Sequence, residues 1–71
     1  MKVMVVKARR MPHAVGWLEG INESGNEVAF ILPWFRVRGI AEDVNAGEKV
    51  EVSVPYHSIV HVKNPRMRRA A

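Results

Sequence analysis

The chain contains no cysteine among its 71 residues, so neither disulfides nor zinc sites with thiolate ligands can stabilise it. No apolar run approaches the ~20 residues that a membrane-spanning helix requires. Residues 1–7 are interrupted by lysine and are too short for a secretory signal. We therefore predict a cytoplasmic protein that has no metal, no cofactor and no membrane contact.

Patterns typical of catalysis are missing as well. The 7 Asp and Glu residues are scattered over predicted turns and outward strand faces, and they form no carboxylate pair. No nucleophile–base arrangement and no glycine-rich phosphate loop is visible. The sequence therefore predicts that the protein is not an enzyme.

Positive charge exceeds negative charge, with 11 Lys and Arg residues and a formal net charge of +4. The basic residues concentrate in short clusters, which are Lys7, Arg9 and Arg10, then Arg36 and Arg38, then Lys63, Arg66, Arg68 and Arg69. Such an excess favours a polyanionic partner, and the alternative is an ordinary solvated surface.

Short valine-rich segments separated by turn residues predict a β-rich chain. The clearest segment has Val50, Val52 and Val54 alternating with polar residues, as in a strand with one buried face. Strands are predicted at residues 2–8, 14–21, 27–32, 49–54 and 58–63, with a tight turn at 22–26 and a 3₁₀ turn near Pro55. Residues 34–47 are interpreted as a strand extension and a loop, with at most one helical turn.

A chain of this length cannot bury a large core by itself. A core of this size contributes about 3–5 kcal/mol, and without disulfides or metal the remaining means of stabilisation is oligomerisation. Five short strands suit a small barrel of the SH3-like or OB-like kind, in which Gly16 and Gly20 permit strand curvature. We expect residues 1–64 to form this barrel and residues 65–71 to form a basic, flexible tail.

Two motifs resemble those of the Sm/LSm proteins, the family that includes bacterial Hfq. The first is G-x-L-x-G-x-N-x-x-x-N at residues 16–26, with Ala29 at the apolar position that closes the family motif. The second covers residues 54–62. Four of its positions match the Hfq version in register, namely Val54, His57, Ile59 and Val62. The resemblance implies an all-β, five-stranded SH3-like (Sm-like) barrel with a strongly bent antiparallel sheet and little or no N-terminal helix.

The resemblance also implies a homo-oligomeric ring, in which the fourth strand of one subunit pairs with the fifth strand of the next. Two loops of each subunit would then line a pore and hold single-stranded RNA. The residues at the family's loop positions are Asn22, Ser24, Asn26, Tyr56 and His57. Asn22 and Ser24 stand where the family usually has Asp and a stacking aromatic residue or His.

Three of these loop residues also have a structural alternative. Asn26 can read a base edge with its amide or simply form the turn. Tyr56 can stack on a base or pack on the barrel rim. His57 can bind a base or phosphate or be an ordinary surface group.

A second candidate site combines aromatic and basic residues. Trp34 and Phe35 precede Arg36 and Arg38, and this combination suits single-stranded RNA through stacking and phosphate neutralisation. The alternative is that both aromatic side chains cap the barrel or seal a subunit contact. Trp17 is expected in the core or at an interface.

These observations predict a ring-forming, Sm/Hfq-like protein that binds single-stranded RNA without catalysis. The alternative is an SH3-like protein-interaction or assembly module that binds no nucleic acid. An enzyme assembled at a symmetric pore, as in the type II dihydrofolate reductases, is the weakest of the three hypotheses.

Overall fold

Five strands and one helix make up the fold in the computed structural model, which describes residues 1–63. The strands are β1 (Lys2–Met11), β2 (Val15–Asn22), β3 (Glu27–Pro33), β4 (Val50–Ser53) and β5 (Ile59–Lys63). The helix α1 (Trp34–Asn45) lies between β3 and β4, and a 3₁₀ turn (Tyr56–Ser58) precedes β5. The prediction of a small, mostly-β domain is confirmed, while the predicted tail at 65–71 lies outside the described residues.

The strands form one antiparallel sheet in the order β4–β1–β2–β3–β5. The first three strands follow one another as hairpins. Helix α1 then carries the chain back to β1, where β4 pairs, and the 3₁₀ turn returns it to β3, where β5 pairs. Two strands that are close in sequence therefore lie at opposite edges of the sheet.

The helix corrects the prediction for residues 34–47, where a strand extension and a loop were expected. Pro33 ends β3 and occupies the N-cap position of α1. The buried helix residues are Val37 and Ala41, four positions apart, and Trp34 and Val44 pack partly against the same core. This spacing places all four on one helix face. The expectation of an almost helix-free chain was wrong, because these apolar residues recur at helical spacing and pack as a helix against the core.

The core lies between the inner face of the sheet and α1. Its fully buried side chains are Val3, Val5, Leu18, Val28, Phe30, Val37 and Val54. Two glycines of β2 allow close packing there. A Cβ at Gly16 would lie 2.6 Å from Cγ2 of Val37, and one at Gly20 would collide with the carbonyl oxygen of Met4. Both positions therefore need glycine for space, in addition to any need for curvature.

The sheet is open between its two edges. Within residues 1–63, β4 pairs with β1 and β5 pairs with β3, and no ladder joins β4 to β5. On β5, Val60 and Val62 are 47% and 45% exposed. The five-stranded antiparallel sheet is thus confirmed, whereas closure into an SH3-like or Sm-like barrel stays a hypothesis.

Candidate functional site

A tryptophan and an arginine meet on the outer face of the sheet, the face opposite to the one that carries the core. Gly16 and Leu18 point inward, so Trp17 between them points outward and is only half-buried. Arg9 lies opposite Trp17 in the β1–β2 ladder. The guanidinium carbon of Arg9 is 5.8 Å from the centre of the indole ring, which is a cation–π contact. The pair presents an aromatic ring with a cation over it.

Trp17 is held in place by two further neighbours. Its indole Nε1–H donates a hydrogen bond of 2.9 Å to Oε2 of Glu19. On the other side, the imidazole of His61 lies 6.4 Å from the indole centre and is tilted by 54°. These contacts fix the orientation of the indole and leave part of its surface open to solvent.

A groove lies at one end of this face and is called the loop groove. It has a volume of about 410 Å³ and is formed by the β1–β2 loop, the end of β3 and the 3₁₀ turn. Its lining residues are His13, Ala14, Val15, Ile31, Leu32, Pro33, His57 and Ser58. None of these lining residues is acidic, so the groove offers histidine and apolar surface without negative charge.

The β1–β2 loop is held in an uncommon conformation. His13 and Ala14 have φ values of 66° and 57°, in the left-handed region that non-glycine residues seldom occupy. The carbonyl oxygen of Ala14 accepts a hydrogen bond of 2.8 Å from the backbone N–H of Trp34. The start of α1 therefore anchors the loop that carries His13.

More aromatic surface surrounds the same end of the sheet. Arg10 places its guanidinium carbon 5.8 Å from the ring centre of Trp34. Phe35 and Tyr56 are 80% and 75% exposed. The end of the molecule that holds the β1–β2 loop and the start of α1 is thus rich in arginine and aromatic residues.

The turn residues predicted to bind RNA have a structural role. The side-chain oxygen of Asn22 accepts hydrogen bonds of 2.9 Å from the backbone N–H groups of Ser24 and Asn26. Asn22 and Asn26 are also joined by a backbone hydrogen bond of 3.0 Å. The side chain of Asn22 therefore helps to form the turn, while RNA contact by Asn22, Ser24 and Asn26 stays a prediction.

The two loops that were expected to line one pore are not neighbours. The turn at 22–26 follows the last residue of β2, whereas His57 lies beside the β1–β2 loop, before the first residue of β2. An eight-residue strand spans about 25 Å. Within one chain, Tyr56 and His57 therefore belong to a different site from Asn22, Ser24 and Asn26.

Arg36 and Arg38 are both exposed on α1. Residues two apart on a helix point in different directions, so the two guanidinium groups do not form one patch. Trp34 packs partly against the core and Phe35 does not. The cluster predicted from residues 34–38 is therefore divided between the core and separate surfaces.

Sequence reasoning placed Arg9 only in a basic cluster, and it assigned no binding site to His13, Trp17 or His61. The alternation of Gly16, Leu18 and Gly20 already indicates that Trp17 faces outward, because successive strand residues point to opposite faces. Trp17 was predicted in the core or at an interface; it does not lie in the core, and the interface alternative stays a prediction. His61 could not be assigned to this face, because its position depends on the pairing of β5 with β3.

The side chains on this face are of types that can bind nucleic acid. Indole, imidazole and guanidinium groups can stack on bases and neutralise phosphates. Among residues 1–63, no group of three or more His, Cys, Asp or Glu side chains could hold a metal ion. No helix in that part of the chain is both long and apolar enough to cross a membrane.

No protein-family model matches the chain, and comparisons with curated proteins and with solved structures found no significant match. The resemblance to Sm/LSm proteins therefore stays a hypothesis that rests on the two sequence motifs.

Proposed function

We propose that this protein binds single-stranded RNA without catalysis, on the outer face of the sheet and in the adjoining loop groove. The observation that carries the proposal is the contact of Arg9 with the half-exposed indole of Trp17. A base can stack on this indole while the guanidinium group meets a phosphate. Stacking on an aromatic side chain is worth about 1–3 kcal/mol per base.

The strand topology supports the proposal, because it is similar to that of a fold class that binds oligonucleotides. Consecutive strands β4 and β5 lie at opposite edges of the β1–β2–β3 meander, as in a Greek key. OB-folds are five-stranded, partly open Greek-key barrels that bind oligonucleotides on the face of strands 2 and 3 and on the loops β1–β2 and β4–β5. Trp17, His13 and His57 lie on these elements. The order of strands thus favours the OB-like alternative over the SH3-like one.

The distribution of charge also supports binding at this end of the molecule. Lys7, Arg9 and Arg10 follow one another along the second half of β1. Each phosphate that a basic side chain neutralises makes binding more sensitive to salt, with a slope of about −0.7 per contact for single strands. Lys7 and Arg9 can supply two such contacts on the outer face, whereas Arg10 lies against Trp34, so the affinity should be modest and salt-dependent.

Fluorescence anisotropy with a labelled RNA dodecamer tests the proposal. We expect binding at low salt that weakens steadily as salt is added. Trp17→Ala should weaken binding by about 10-fold, whereas Phe35→Ala, which removes an exposed aromatic ring from α1, should have little effect. Absence of binding at low salt, or equal effects of the two substitutions, would rule the proposal out.

A second candidate function is protein interaction through α1. Phe35 is 80% exposed at the start of the helix, and such a ring can anchor a protein partner. If the protein is an interaction module that binds no nucleic acid, Phe35→Ala should abolish partner binding and Trp17→Ala should not. The two substitutions therefore distinguish the two functions.

A further inference from the structure

A small depression on the outer face lies beside Trp17 and is called the base notch. Its floor is Ala29, which is only 1% exposed although it lies on this outer face. Glu19 and His61 flank Ala29 on the two neighbouring strands, in direct register. The notch has a volume of about 120 Å³, and Val6, Glu27 and Lys63 also line it. This volume corresponds to about four water molecules at ~30 Å³ each, so the notch admits the edge of one base.

The carboxylate of Glu19 is fixed at the wall of the notch. One oxygen, Oε2, accepts the indole hydrogen of Trp17 at 2.9 Å. An ionised carboxylate has about four acceptor sites on its two oxygens, so this bond leaves acceptor capacity for a ligand. Lys7 lies opposite Glu19 in the β1–β2 ladder and offsets the negative charge on a face that would approach phosphates.

We infer that the base notch selects guanine in a bound single strand, an inference that rests on the proposed function. A carboxylate only accepts hydrogen bonds, and guanine presents two adjacent donors, N1–H and the N2 amino group, on its Watson–Crick edge. Uracil presents one N–H between two carbonyl oxygens, which a carboxylate repels. Cytosine and adenine present an amino group next to an acceptor nitrogen. Guanine can therefore donate two hydrogen bonds to the carboxylate of Glu19, whereas each of the other bases can donate at most one.

The geometry also allows stacking and hydrogen bonding at neighbouring positions. Trp17 lies two residues from Glu19 on the same strand face, and its indole donates to the carboxylate. One nucleotide can stack on the indole while the next inserts its edge over Ala29. The imidazole of His61 closes the opposite wall. Recognition of unstacked bases by stacking and by their Watson–Crick edges is the usual means of reading single-stranded RNA.

The test measures the affinity of oligouridine nonamers that carry guanosine, inosine, adenosine or uridine at the central position. Inosine lacks only the N2 amino group of guanosine. We expect guanosine to bind about 10-fold more tightly than inosine or uridine, as for the loss of one hydrogen bond to a charged group. Adenosine should behave like uridine.

Two variants connect the preference to the base notch. Glu19→Gln retains an acceptor for the indole but loses the ionised carboxylate, so the preference for guanosine should fall below about threefold. Glu51→Gln removes the same charge from β4, away from the base notch, and should keep the preference. Ala29→Val raises the floor of the notch with a residue that strands favour, and it should also abolish the preference.

The outcomes separate this inference from the proposed function. Equal affinity for all four nonamers, with binding still weakened by Trp17→Ala, would overturn the guanine inference and leave RNA binding in place. A guanosine preference that survives in Glu19→Gln would also overturn it. Absence of binding to every nonamer at low salt would overturn the proposed function first.

Discussion

Arg9 and Trp17 face each other across the β1–β2 ladder, with the guanidinium carbon 5.8 Å from the indole centre. Arg9 lies outside the sequence motifs that resemble a known family, and Trp17 occupies a position that the first motif leaves unspecified. Their contact nevertheless defines the part of the surface that is best suited to a base and a phosphate together. Arg9 can contribute to RNA binding through its positive charge and through its planar guanidinium group, and two substitutions can separate these contributions.

Arg9→Lys and Arg9→Ala should have different effects on RNA binding. The lysine keeps a positive charge for phosphate but cannot stack as a flat guanidinium group. We expect Arg9→Ala to reduce the slope of log affinity against log salt by about 0.7, and Arg9→Lys to leave the slope unchanged. Titrations at several salt concentrations measure both. An unchanged slope in Arg9→Ala would mean that Arg9 contacts no phosphate.

Two glycine substitutions should change stability in opposite directions. A Cβ at Gly16 would lie 2.6 Å from Val37, so Gly16→Ala should lower the free energy of unfolding by about 1–3 kcal/mol through overpacking. Gly39 lies on α1 with no atom within 4 Å of an added Cβ. Gly39→Ala should raise the free energy by about 0.5–1 kcal/mol, because alanine favours helix. Urea denaturation of both variants provides the measurement.

Substitution of Asn22 distinguishes a role in stabilising the turn from a role in binding RNA. Asn22→Ala removes the acceptor of two backbone N–H groups and should cost about 1–2 kcal/mol of stability. Its affinity for RNA per folded molecule should stay within twofold of wild type. A matched substitution on the same turn is Ser24→Ala, whose side chain is exposed, and it should change neither quantity. A large loss of RNA affinity in Asn22→Ala would restore the role that the family resemblance implied.

The sequence was sufficient to predict the strands because their signals are local. Alternation of Val50 and Val52 and the turn at Asn22 can be read from neighbouring residues. The strand order could not be predicted in this way, because it depends on how helix α1 packs and therefore on which strand β4 pairs with. The helix itself was predictable in principle from Trp34, Val37 and Ala41, whose spacing follows a helical period. Pro33 both ends β3 and occupies the N-cap of α1, so the proline alone does not distinguish a loop from a helix after it.

The candidate site was less predictable than the strands for the same reason. His57 was identified through the resemblance, and the structure places it in the loop groove. Trp17 and His61 are 44 residues apart in sequence and meet only because β3 pairs with both β2 and β5. A site assembled from one side chain on each of several strands leaves no spaced motif in the sequence.

Self-association stays a prediction, and the sheet edges suggest how to test it. A ring would pair β4 of one subunit with β5 of the next, and β5 presents Val60 with 47% of its surface exposed at this edge. Val60→Lys should prevent such pairing, because lysine on an edge strand opposes the addition of another strand. Val6→Lys, at a 55% exposed position on the interior strand β1, is the matched control.

Light scattering should give a mass well above 8.0 kDa for wild type and Val6→Lys and a lower mass for Val60→Lys. A wild-type mass near 8.0 kDa at micromolar concentration would exclude the ring, while RNA binding by a monomer would remain open to measurement because Arg9 and Trp17 lie within one chain.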